Sequence, residues 1–311
     1  MKSKICSSEY VRTVCRGKSW IPAFLSLGFF LAFPVALLLV VGNWKAARYT
    51  PDQLHLLYEG LWKEKLVFTG GAITIVAAIM NSINGFSYVY SRKKVDFYHS
   101  LPVKRSRMFW NRVYTGLLYY LVPYMIMEFF AVCIGAAKGF FSLKLMELAA
   151  RLLLVHLLLY FLFYFSIVLV FCVTGNFLMG VLCLAGMQLY GPALGILMSF
   201  CAYGFFDTFS SNYPYGIFKA LEDYASPITL TAAFWQKYEA GQGAALAAVL
   251  FVLTLIFTAV SYFAYIHRPS EAAGKPMVYG KLAAVIKFMV VVPCGMGTGF
   301  VFYLIPTSHA R

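Results

Sequence analysis

The chain has 311 residues, of which 61% are hydrophobic, 18% aromatic and only 12% charged, and its mean hydropathy is +0.74. A soluble domain of this size carries about twice that charged fraction, so the composition excludes a water-soluble globular protein and makes the bilayer the solvent. The formal net charge of +14 invites a nucleic-acid partner, but its placement along the chain argues against one.

Residues 1–20 are too polar between Lys2 and Lys18 for a cleavable signal peptide, and no small-residue cleavage site follows. Tyr10, Val11, Val14 and Cys15 share one helical face, with Glu9, Arg12, Thr13 and Arg16 around the rest. This predicts an amphipathic helix in the cytosolic headgroup layer. Residues 21–311 are then one transmembrane domain. Hydrocarbon about 30 Å thick takes roughly 20 residues of helix, and every backbone polar group must be satisfied within the span. The apolar runs place spans at 21–41, 66–88, 110–137, 152–173, 177–204, 246–266 and 282–304. The expected fold is an all-α polytopic membrane protein with six or seven transmembrane helices. Thr174, Gly175 and Asn176 form a tight hairpin between the fourth and fifth spans. Gly191-Pro192 is expected to kink or break the fifth, leaving its outer half re-entrant. The outer segment 205–245, with Tyr213-Pro214 and Ser226-Pro227, has room for short interfacial helices.

Orientation follows from the basic residues. With a cytosolic N-terminus, sixteen of the lysines and arginines fall on the inner side against Glu9, Asp96 and Glu271, while the outer segments hold ten against eight acidic residues. The excess is a topology signal and an attraction for anionic lipid. It requires no nucleic acid.

Catalytic signatures are missing from the sequence: no HExxH, GxSxG or GxxxxGK[ST], no acidic pair suited to Mg²⁺, and His55, His99, His156, His267 and His309 are scattered. The seven cysteines form no CxxC site and read as small apolar packing residues. Neither intrinsic catalysis nor a metal site is expected, and the chain cannot bind and hydrolyse ATP by itself.

The loop 89–109 between the second and third spans carries the most specific signal. Read as a short helix ending before Pro102, it places Lys94, Phe97, Tyr98 and Leu101 on one face at i, i+3, i+4 and i+7, with Asp96 and Ser100 turned away. Aromatics on a cytosolic helix call for a partner, either the bilayer interface or a protein groove with Phe97 and Tyr98 as anchors. Lys104, Arg105 and the neighbouring basic residues would then set the orientation electrostatically.

The run Phe86 to Gly116 (FSYVYSRKKVDFYHSLPVKRSRMFWNRVYTG) resembles the signature of ABC-2-type exporter permeases of Gram-positive bacteria, with its "DFYHSLP" leading into a basic pair and the next span. Arg268 to Gly274 (RPSEAAG) is similar to the stretch those permeases carry after the sixth span. The resemblance implies that Phe97, Tyr98, Leu101 and their basic neighbours form a coupling helix docking on a separate ATPase subunit. It implies two permease chains per complex, with ATP and Mg on the ATPases and no cofactor on this chain. Permeases of that group have six spans and a cytosolic C-terminus. A seventh run here marks a truncated or divergent form, or else the fifth or seventh run does not cross.

Inside the spans, Glu128 is the one acidic residue, and a carboxylate there is costly enough to need a partner or a purpose. His156 and Arg151 are candidate partners. Asn81 and Asn84 offer interhelical hydrogen bonds or a polar pathway. A secondary, ion-coupled transporter is the rival reading, although it offers one glutamate and no evident inverted repeat. A non-catalytic membrane subunit is a third.

Overall fold

A computed structural model describes residues 20–44, 50–206 and 216–304. Of the predicted interfacial helix of residues 1–20, residues 1–19 lie outside the described residues, as does Tyr213-Pro214. Among the described residues the chain is helical throughout, with a single isolated antiparallel bridge between Thr174 and Met277.

Among the described residues, seven helices are long and apolar enough to cross a membrane. We label them with the shorter helices in chain order: α1 (Trp20–Gly42), α2 (Pro51–Tyr90), α3 (Arg92–His99), α4 (Arg105–Ala137), α5 (Leu143–Val173), α6 (Phe177–Phe205), α7 (Gly216–Tyr224), α8 (Pro227–Glu239), α9 (Ala244–His267) and α10 (Gly280–Leu304). The second helix starts well before the predicted residue 66, because Thr50 and Gln53 form a reciprocal capping box and Pro51 takes the first turn. Of the kink or break expected at Gly191-Pro192, the break does not occur. α6 runs unbroken through Pro192, since only one backbone donor is lost there and a helix is the form that satisfies the rest in hydrocarbon. The outer segment holds the short helices α7 and α8, the latter capped by Ser226 on the Thr229 amide.

Two spans carry a π-helical turn, Leu31–Val35 in α1 and Leu61–Lys65 in α2. Pro34 lies within the first and cannot donate to the preceding turn. The Thr69 hydroxyl of α2 lies 3.3 Å from the Ala32 carbonyl of that turn and 2.9 Å from the Lys65 carbonyl of its own helix. Such bulges are uncommon and concentrate at functional positions.

The chain divides into two compact units. The first contains the described residues up to Cys172 together with Phe251–Ala273. Its centre is aromatic: Phe29 and Phe33 of α1 each meet Tyr124 of α4 edge-on at 5.2 Å, and Tyr120 stacks on Tyr160 of α5 at 4.2 Å. Gly70 makes this packing possible, because a Cβ there would lie 2.6 Å from His156 and 2.7 Å from Phe33. The second unit contains Val173–Leu250 and the described residues from Gly274. In it, Gly191 and Gly195 of α6 let α7 approach so closely that added Cβ atoms would meet Ala225 and Glu222. Phe200 stacks on Phe300 of α10 at 6.0 Å.

Candidate functional site

The short helix α3 is held from one side and bare on the other. Val95 is buried, Tyr98 and Leu101 are half-buried against Met108, and Lys93, Lys94, Phe97 and Lys104 are exposed. The face predicted from spacing is therefore divided. Tyr98 turns back onto its own chain, meeting the Tyr88 ring edge-on at 5.0 Å with the Arg112 guanidinium 4.6 Å from its centroid. Phe97 is 54% exposed and stays outside. Helical spacing alone does not separate the two, because the buried side of α3 is defined by Val95 and Tyr98 at i, i+3.

Three arginines hold this region together, and each acts on the carbonyl end of a span. The last carbonyls of a helix lack intrahelical partners and carry the negative end of its dipole. Arg112, buried at 2% exposure, donates to the Gly85 carbonyl near the end of α2 while lying 3.8 Å from the Tyr88 ring centroid. Arg268, also buried, donates to Phe171 and Cys172 at the end of α5 (2.9 and 2.7 Å) and to Val89 at 3.2 Å. Arg105 donates to Ile266 at the end of α9 (3.1 Å) and to Arg268 (2.9 Å). Arg92 of α3 adds a 3.0 Å bond to the Ala273 carbonyl, and the hydroxyls of Tyr88 and Tyr265 meet at 2.5 Å. Basic residues that read in the sequence as a topology signal are thus partly structural caps. Among the predicted site residues Arg105 belongs to this framework, whereas Lys94 and Lys104 project from it.

His99, at the end of α3, is half-buried, and its Nδ1 has no hydrogen-bond partner among the described residues. Burial, followed by the positive charge of Arg105, holds its imidazole below the usual range, with Asp96 opposing.

A second polar row lies within the spans. Asn81 donates to the Gly116 carbonyl (3.0 Å) and to the Tyr160 hydroxyl (3.3 Å). Thr74 pairs with Tyr120 at 3.3 Å, and the Ser82 hydroxyl lies 2.7 Å from the Ala78 carbonyl of its own helix and 3.2 Å from the Tyr164 carbonyl. His156 is fully buried between the Tyr124 hydroxyl (2.8 Å) and the Val67 carbonyl (3.0 Å). Asn84 is half-buried on the same helix as Asn81. Most of these contacts are interhelical and satisfy buried groups, although the Asn81 Oδ1 has no hydrogen-bond partner among the described residues.

Glu128 differs. It is 6% exposed, and its Oε1 is buried without a hydrogen-bond partner among the described residues. Neither expected partner reaches it: both ring nitrogens of His156 are engaged as described, and Arg151 pairs with Glu147 on an exposed face. Sequence spacing missed Arg112, Arg268 and Tyr88 as site residues. The available signal was an arginine at the very start of one apolar run (Arg112) and another just past the end of a second (Arg268), both at the membrane side where neighbouring helices end and their carbonyls need donors.

No known protein family matches the chain, and neither the curated proteins nor the solved structures contain a match.

Proposed function

We propose that this multi-pass membrane protein is the transmembrane permease subunit of an ATP-binding cassette exporter. In this reading it sits in the cytoplasmic membrane with its N-terminus in the cytosol, and two permease chains work with separate ATPase subunits that hold the ATP and Mg.

The observation that carries the reading is the exposed Phe97, flanked by Lys93 and Lys94, on a helix whose other side packs through Tyr98 on Tyr88 and Met108 and bonds through Arg92 to the Ala273 carbonyl. A large aromatic side chain surrounded by charge is the composition of a docking anchor. Arg92 ties α3 to the Ala273 carbonyl, and next to it Arg105 and Arg112 at the start of α4 and Arg268 after α9 tie the ends of α2, α5 and α9 together. A displacement of α3 is therefore delivered to these spans together rather than absorbed in a loop. For the ATPase to drive transport, it must contact α3 differently in its two nucleotide states, because equal contact shifts no equilibrium.

A mild-detergent pull-down of the tagged chain from its native host, with wild type beside Phe97→Ala, tests this. An ATPase recovered with wild type and lost with the variant supports the reading. No ATPase with either favours a secondary transporter, for which the unpaired Oε1 of Glu128 within α4 would supply an ion site. Dependence of transport on the proton gradient would then separate the two.

A further inference from the structure

An apolar groove of about 520 Å³ opens on the first unit between α4, α5 and α9. Its walls include Trp110 and Leu117 of α4, Leu157 and Phe161 of α5, and Phe251 and Leu255 of α9. The wall hydroxyl of Thr258 is already engaged with the Thr254 carbonyl at 2.8 Å. On α5 the lining runs from Leu154 to Phe165, about 16 Å at the helical rise. That is roughly the depth of one leaflet of a hydrocarbon layer about 30 Å thick.

One end of the groove is chemically distinct. Trp110 and Tyr262 lie side by side there, 6.0 Å between ring centroids, and Tyr262 is fixed by a 2.9 Å hydrogen bond with Ser106. Paired Trp and Tyr mark headgroup depth. One turn beyond Trp110, on the same stripe as Tyr114 and Leu117, stands Arg107. It is exposed and makes no hydrogen bond or ion pair among the described residues, unlike its neighbours Arg105 and Arg112.

We propose that this groove is a binding site for an anionic phospholipid of the leaflet bordered by α3, with one acyl chain along the groove and the phosphate at Arg107. The arrangement matches such a molecule in order along the membrane normal: a free guanidinium, then an aromatic pair, then a dry channel one acyl chain long. A charge–phosphate contact at the surface supplies the headgroup preference, and the channel supplies the residence of the chain. The site is independent of the export reading, because its occupant belongs to the membrane rather than to a cargo.

The test uses the full chain reconstituted in vesicles containing either phosphatidylglycerol or phosphatidylcholine with brominated acyl chains, which quench tryptophan at contact. The Trp110→Phe variant isolates the Trp110 contribution. Half-maximal Trp110 quenching is expected at about fivefold lower mole fraction of phosphatidylglycerol than of phosphatidylcholine. Arg107→Gln should bring the two curves together, and Leu157→Phe, which fills the channel, should weaken both. Identical wild-type curves, or a preference untouched by Arg107→Gln, would reduce the groove to ordinary lipid contact and overturn the proposal. Absence of Trp110 quenching by either lipid would overturn it too, by showing the groove covered by protein.

Discussion

Arg105 Nη1 donates to the backbone carbonyl of Arg268 at 2.9 Å, across 163 residues of sequence. The bond joins the basic stretch that opens α4 to the segment Arg268–Gly274 after α9, and Arg268 itself continues the chain of bonds to the ends of α5 and α2. Two stretches recognised separately in the sequence are thus one structure at the mouth of the first unit.

Arg268 should accordingly be the residue whose loss costs most there. Arg268→Ala leaves three buried carbonyls without a donor, and each unsatisfied group costs roughly 1–3 kcal/mol. We expect a destabilisation of about 3 kcal/mol or more, read as a lowered thermal midpoint in detergent. Arg268→Lys keeps the charge but cannot fork to several carbonyls, so its midpoint should fall between the two. A midpoint unchanged in Arg268→Ala would mean that water replaces the guanidinium without loss.

Phe97 and Tyr98 should separate cleanly in function. Phe97→Ala removes an exposed ring and should move stability by no more than about 0.5 kcal/mol while abolishing recovery of the ATPase. Tyr98→Ala removes a ring packed against Tyr88 and Arg112 and should destabilise by about 1–3 kcal/mol. If Phe97→Ala lowers the thermal midpoint as much as Tyr98→Ala does, the assignment of Phe97 as the outward anchor fails.

Much of this architecture was legible because the bilayer simplifies the code. A span must be helical and apolar, so all seven runs could be placed from hydropathy, and the short helix before Pro102 from its boundary signals. What could not be read was how polar groups pair across helices. Helical spacing put Glu128 near a histidine and an arginine on another span, but the partner of a side chain depends on rotation and register. His156 is satisfied by Tyr124 and Val67, neither of which any motif indicates. The same limit concealed Arg112 and Arg268, which count equally as positive charges whether they face water or cap a buried helix end. Pro192 leaves its helix unbroken for a different reason, since local breaking tendency is outweighed where hydrocarbon offers the backbone no alternative partner.

The close approach of α1, α2 and α5 around Gly70 makes a directional prediction. Gly70→Ala forces a methyl group against His156 and Phe33, and overpacking of this kind costs about 1–3 kcal/mol. Gly60→Ala, on the same helix with nothing within 4 Å of its added methyl, should be neutral or slightly stabilising, because alanine favours the helix by about 1 kcal/mol over glycine. Thermal midpoints of the two variants moving together would contradict the packing described.

Glu128 and His156, both buried in the same unit, should respond oppositely to neutral replacement. Glu128→Gln removes a carboxylate whose Oε1 has no partner, so stability should hold or rise. His156→Leu strands the Tyr124 hydroxyl and removes the second bond to the Val67 carbonyl, and should cost about 2 kcal/mol. A lowered midpoint in Glu128→Gln would show that the carboxylate is structurally paired.

The docking of α3 should also weaken in acid. His99 has an imidazole pKa lowered from 6.5 by burial and by Arg105, with smaller contributions of the same sign from Arg268 and Arg112. When α3 undocks, His99 returns to water and to its ordinary pKa, so the undocked state binds more protons in the window just below pH 6.5. Stability of docking therefore rises with pH through that window. It is fully present above about 6.5 and declines as the pH falls toward the lowered value. Amide exchange of residues 92–99, corrected for intrinsic rates, should be faster at pH 5.5 than at pH 7.5 in wild type, and the difference should vanish in His99→Gln. An equal acceleration in both proteins would assign the acid sensitivity to another group.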